Sequence, residues 1–86
     1  MKPEELLARA RRGDVRNVSF ADLQRLLVAL GFELDRVHGS HHLYLHPRIR
    51  ERVNIQPVSG RQAKPYQVRQ VADLAALYDL KVDKSK

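Results

Sequence analysis

Apolar residues in this chain recur every three or four positions at both ends and every second position in between. Phe20, Leu23, Leu26, Leu27 and Leu30 fall on one helical face. Ser19 is a good N-cap for that helix. Asp22, three residues on, resembles a capping box with Asp in place of Glu, and Val18 and Leu23 stand at staple positions. Gly31 ends the helix. Residues 2–12 predict an earlier helix: Pro3 suits its first position, Glu4 and Glu5 its positive end, Arg9, Arg11 and Arg12 its negative end, and Gly13 its stop. Its apolar stripe is thin, only Leu6, Leu7 and Ala10, which predicts loose packing or an accessory role.

From Phe32 the period changes to two. Residues 32–37 read as a strand with Phe32 and Leu34 on one face and Glu33 and Asp35 on the other. His38-Gly39-Ser40 is a turn, 41–46 a second strand, and 47–50 a loop. A third strand starts at Glu51 or Arg52, turns Val53 and Ile55 inward, and runs to Gln56, where Pro57 ends it. Links this short predict an antiparallel meander. Residues 59–64 read as a polar loop. Pro65 then opens a last helix striped by Val68, Val71, Ala72, Ala75 and Leu77 or Tyr78. The order is α-α-β-β-β-α, a two-layer α+β domain with helices on one sheet face. The other face is left more open and free to carry function.

Length and composition narrow the classes. A chain of 86 residues holds one small domain. Without cysteine it has neither disulfides nor thiolate metal sites. No apolar run approaches the roughly 18 residues of a membrane helix, and the acidic start is unlike a signal peptide. A cytoplasmic protein is expected. The formal charge is +6, unevenly placed: residues 36–64 carry six basic side chains (Arg36, Arg48, Arg50, Arg52, Arg61, Lys64) against Glu51 alone, and the rest carries ten against nine. A phosphate-bearing or acidic partner is the natural reading.

That basic window surrounds Gly39-Ser40-His41-His42-Leu43-Tyr44-Leu45-His46-Pro47. On a strand, His42 and His46 share a face but lie about 13 Å apart. Zinc–nitrogen bonds are only about 2 Å long, so no metal site is expected. No hydrolase triad and no glycine-rich phosphate loop is present. A lone imidazole beside a basic surface suits RNA, whose 2′-hydroxyl is a built-in nucleophile next to the scissile phosphate. His38 reads as structural or merely exposed, and His46 as a hydrogen-bonding residue at a strand end. Tyr44 is either a base-stacking residue or half-buried packing.

The motif resembles one family. Phe32-x-Leu34 after a leucine-rich helix, then Gly39-Ser40-His41-His42 and His46-Pro47, is similar to the HicA family of bacterial toxins. Asn54-Ile55-Gln56 and Lys64-Pro65-Tyr66-Gln67-Val68-Arg69 extend the resemblance, which runs from about residue 19 to 80. It implies a double-stranded-RNA-binding-like α-β-β-β-α fold, here with residues 1–18 as a helical extension, 19–80 as the domain and 81–86 as a frayed tail. It also implies ribosome-independent cleavage of mRNA, neutralised by a cognate HicB-type antitoxin; the residues themselves call for neither a metal nor a cofactor. The family's catalytic histidine follows the Gly-Ser pair, so the role falls to His41, with a lesser one for His42. Together with the basic window read above, the expected RNA contacts are Ser40, His42, Arg48, Arg50, Arg52 and Lys64. Two other classes share these residues: a non-catalytic RNA-binding module of the same fold, and an interaction protein whose basic face docks an acidic partner.

Overall fold

The computed structural model describes residues 1–85 and bears out the α+β architecture. Helix α1 spans Pro3–Arg11 and α2 spans Phe20–Ala29. Strands β1 (Glu33–His38), β2 (His41–Leu45) and β3 (Val53–Ile55) form an antiparallel sheet in that order, and α3 spans Pro65–Leu77. The helices cover one sheet face. Phe20, Leu23, Leu26 and Leu27 of α2 and Val68, Val71 and Ala75 of α3 share one core with Tyr44, Val53 and Ile55 of the sheet.

Helix α2 begins as its sequence directs. The Ser19 hydroxyl accepts from the Asp22 N–H at 3.1 Å. The reciprocal half of the box is not made. Asp22 is one methylene shorter than Glu, and its carboxylate instead accepts from Arg25 at 2.7 Å and from the N-terminal ammonium at 3.5 Å. At the other end Gly31 takes φ +99°, where its own N–H reaches Val28 and the Phe32 N–H reaches Leu27. These bonds satisfy carbonyls that the helix end leaves open.

Several expectations change. Helix α1 does not pack loosely, because Leu6, Leu7 and Ala10 are all buried in the common core. A thin stripe suffices when two neighbours, α2 and α3, close over it. Strand β1 is exposed on both faces: Leu34 is 48% and Val37 51% accessible. It is an edge strand, and the register slips by one residue at Asp35, so simple alternation fails there. The polar loop after β3 is a small hairpin of β4 (Pro57–Val58) and β5 (Gln62–Ala63) around a 3-10 turn at Ser59–Arg61. It is held to the segment leading into α2 by the Ala63 N–H on the Val18 carbonyl at 2.8 Å, and Arg61 lies over the Phe20 ring at 5.3 Å. Pro57 thus opens a strand rather than only closing one.

In α3, Leu74 joins the buried stripe, and of the two residues expected to end it Tyr78 packs against the core while Leu77 is 70% exposed. Beyond α3, Leu80 is buried and the Asp83 N–H donates to the Ala29 carbonyl at 2.8 Å, so the expected frayed tail is tied to the end of α2. Its last residue, Lys86, lies outside the described residues.

Candidate active site

The pleat decides which side chains meet. Tyr44 and His42 of β2 pair with Val53 and Ile55 of β3, and all four look toward the helices. Leu43 pairs with Asn54 and His41 pairs with His38, so these four occupy the open face. The two-residue loop Gly39-Ser40 closes the β1–β2 hairpin. Gly39 sits at φ +63° in the first central position, as a type II′ turn requires. That loop places His38 and His41 opposite each other at one end of the sheet.

A shallow cleft on this face is lined by Arg36, His38, His41, Leu43 and Asn54. His41 Nδ1 lies 3.2 Å from Asn54 Oδ1. An amide oxygen only accepts, so Nδ1 donates, and in the neutral ring Nε2 is the nitrogen with the lone pair. The Nε group of Arg36 donates to Asp35 at 3.0 Å. No carboxylate lines the cleft.

Asn54 is itself held from behind. The side-chain amide of buried Gln67, in the first turn of α3, grips the outer edge of β3. Its Oε1 accepts from the Gln56 N–H at 3.1 Å, and its Nε2 donates to the Asn54 carbonyl at 3.3 Å. The same Nε2 lies 3.3 Å from the Tyr66 hydroxyl, which places the 65% exposed Tyr66 beside this edge.

The other expected site residues scatter. Ser40 is in the hairpin loop, and its carbonyl accepts from His42 Nδ1 at 3.0 Å. His42 lies on the face opposite His41, with its ring edge-on to Phe20 at 4.9 Å between centroids. Lys64 holds the N-cap position of α3, near the edge that Gln67 grips.

Arg48, Arg50 and Arg52 lie in the β2–β3 loop, past the far end of β2 and about 13 Å or more from His41 at 3.3 Å per residue. All three are exposed, and the residues between them are pinned. Ile49 is buried, and the Tyr78 hydroxyl donates to the Glu51 carboxylate at 2.6 Å. That hydrogen bond, more than desolvation or the carboxylate's charge, holds the Tyr78 hydroxyl above its ordinary pKa.

Two aromatic and imidazole roles resolve. Tyr44 is 2% exposed with its hydroxyl bonded to Gln24, so its ring is core and has no face for a base. His46 is 8% exposed, and both its nitrogens are used: Nδ1 accepts from the Arg48 N–H at 3.1 Å and Nε2 donates to the Leu30 carbonyl at 3.0 Å. It is the hydrogen-bonding strand-end residue its sequence position suggests. Arg36, His38 and Asn54 line the cleft beside His41, a placement that sequence reasoning did not foresee. Asn54 had a usable signal, since inward Val53 and Ile55 force it outward.

Among the described residues no group of three or more His, Asp or Glu side chains gathers as for a metal ion, and no helix is long and apolar enough to cross a membrane. No curated protein and no solved structure matches the chain. A family model described as HicA toxin of bacterial toxin-antitoxin matches residues 20–77, which run from α2 through the whole sheet to the end of α3. With two thirds of its length matched, the chain belongs to the HicA family of bacterial toxins.

Proposed function

We propose that this protein is a ribosome-independent mRNA endoribonuclease in which His41 is the general base, and that a HicB-type antitoxin neutralises it by covering the open sheet face. Family membership carries the coarser statement, a toxin of the mRNA-interferase kind. The observation that supports the finer one is the His41–Asn54 contact at 3.2 Å, which fixes the tautomer and leaves Nε2 as an acceptor on an exposed, carboxylate-free surface. A 2′-hydroxyl brought to that nitrogen gives up its proton as its oxygen attacks the adjacent phosphorus. The P–O5′ bond breaks and the departing 5′-oxygen takes up a proton, leaving a 2′,3′-cyclic phosphate and a 5′-hydroxyl end. Arg36 is the nearest cation for the phosphate, and the ring of Tyr66 is a platform on which a base stacks. Arg48, Arg50, Arg52 and Lys64 attract the flanking backbone, with Ser40 and His42 at the hairpin end. No step needs a metal or an organic cofactor. Residues 19–80 form the toxin domain in this reading, residues 1–18 extend its core, and the cytoplasm is where its substrate lies.

The test compares the parent with His41→Ala, at matched folded protein, on an end-labelled RNA. His41 is exposed, so the variant folds and still binds RNA and antitoxin. It cuts about 10²- to 10⁴-fold more slowly, the usual worth of a general base. EDTA leaves the parental rate unchanged, and a single 2′-deoxy sugar at the cut site blocks cleavage there. Equal rates for His41→Ala and the parent overturn the assignment. RNA that is bound yet intact after long incubation with the parent leaves a non-catalytic RNA-binding module instead.

A further inference from the structure

The open face holds a second imidazole that the reading above does not use. His38 is the last residue of β1 and His41 the first of β2, and they are cross-strand partners closing the Gly39-Ser40 loop. Partners on one face of an antiparallel pair have Cβ atoms only about 4.5–5.5 Å apart. Both rings line the same cleft with Arg36 and Asn54. Their environments differ. Asn54 holds the His41 ring in one tautomer, whereas the His38 ring makes no hydrogen bond within the described chain.

Cleavage through the 2′-hydroxyl needs two proton transfers. One proton leaves the attacking 2′-oxygen, and another must reach the departing 5′-oxygen, a poor leaving group as an alkoxide. In an in-line displacement these oxygens lie on opposite sides of the phosphorus. Two imidazoles that flank one phosphate meet both demands, and a single one meets only the first. We infer that His38 is the general acid of this site, paired with His41 as base; the inference rests on the endoribonuclease reading above.

In the first step His41 Nε2 accepts the 2′-hydroxyl proton while protonated His38 gives its proton to the 5′-oxygen. The new 2′-O–P bond forms as the P–O5′ bond breaks, so one proton enters the protein and one leaves. The charged and titratable groups lining the cleft are Arg36 from β1 and the two histidines themselves, with β3 contributing only neutral Asn54. Asp35, beside Arg36, spends its carboxylate on the Arg36 Nε. Arg36 is therefore the phosphate's counter-charge, and no neighbouring acid competes for the proton-donor role.

The experiment uses the full chain in single turnover on two RNAs, one with the ordinary 5′-oxygen at the cut site and one with a bridging 5′-sulfur there. A thiolate departs without a proton. Parental cleavage of the ordinary RNA peaks in pH and falls on both sides, as an acid–base pair demands. His38→Ala is expected to cut it about 10²-fold or more slowly and to lose the fall at high pH. On the 5′-sulfur RNA the same variant recovers to near the parental rate, and His41→Ala does not. If His38→Ala matches the parent in rate and pH profile, the inference fails and His41 stands alone. If His38→Ala is equally slow on both RNAs, the inference also fails, because the ring then serves binding or shape. If the parent leaves both RNAs intact, the endoribonuclease reading fails first.

Discussion

At the scale of single residues, His46 shows how much of one fold can rest on one imidazole. Its ring stands edge-on to Phe32 at 5.0 Å and ties the end of β2 to the carbonyl of Leu30, where α2 stops. A Cβ placed on Gly31 would meet His46 Nε2 at 2.8 Å. The ring cannot swing away, because both its nitrogens are bonded. Gly31→Ala therefore meets a fixed neighbour in a backbone conformation, φ +99°, that alanine rarely adopts. A loss of about 1–3 kcal/mol is expected, measured by urea unfolding of parent and variant. At this scale the sequence was legible for His41, whose Gly-Ser approach marks a turn followed by a strand. It was not legible for the His38–His41 pairing, which needs the hairpin register, nor for the side of the sheet His42 takes. One residue of slip reverses every assignment of face.

At the scale of elements, α3 does more than cover the sheet. The Gln67 amide offers one acceptor and one donor to β3, the same pair of groups a neighbouring strand would offer. Gln67→Leu removes both partners at once and strands the Gln56 N–H and the Asn54 carbonyl. That costs about 1–3 kcal/mol. Amide exchange at Gln56 should quicken, and RNA cleavage should fall because Asn54 no longer holds His41 in place. Unchanged Gln56 exchange would mean that the bracket is not a determinant of this edge.

The Tyr78–Glu51 bond is the second tie from α3, and it carries a pH signature. Its folded pKa is raised, so its stabilisation is fully present below about pH 10, the ordinary value of the phenol. It fades as pH climbs through the raised value. Urea midpoints of the parent should therefore fall relative to Tyr78→Phe across that alkaline range, and hold a constant difference below it. Element types and order were readable from periodicity. The bulge at Asp35 and the hairpin after β3 were not, because strands of two residues leave too short a pattern.

At the scale of the whole molecule, the arginine-rich loop and the candidate chemistry are separated. The cleft with His38 and His41 lies at the hairpin end of the sheet, and Arg48, Arg50 and Arg52 lie past the opposite end. A strand of RNA reaching both must run along the open face. Replacing the three arginines together with serine should weaken binding to unrelated RNAs alike. If each arginine meets one phosphate, the slope of log affinity against log salt becomes shallower by about 2, at roughly 0.7 per contact on single strands. A triple variant with the parental slope would place the RNA track elsewhere.

The two edges of the main sheet are unlike, and this limits how copies of the protein can join. The β3 side is plugged by a side chain of the same molecule, while β1 presents six exposed residues including Leu34 and Val37. An added strand has one place to dock. Two copies meeting β1 to β1 about a twofold axis would use up every free edge and close as a dimer. A ribbon that grows copy after copy needs two open edges per molecule, so edge-to-edge assembly through this sheet stops at two.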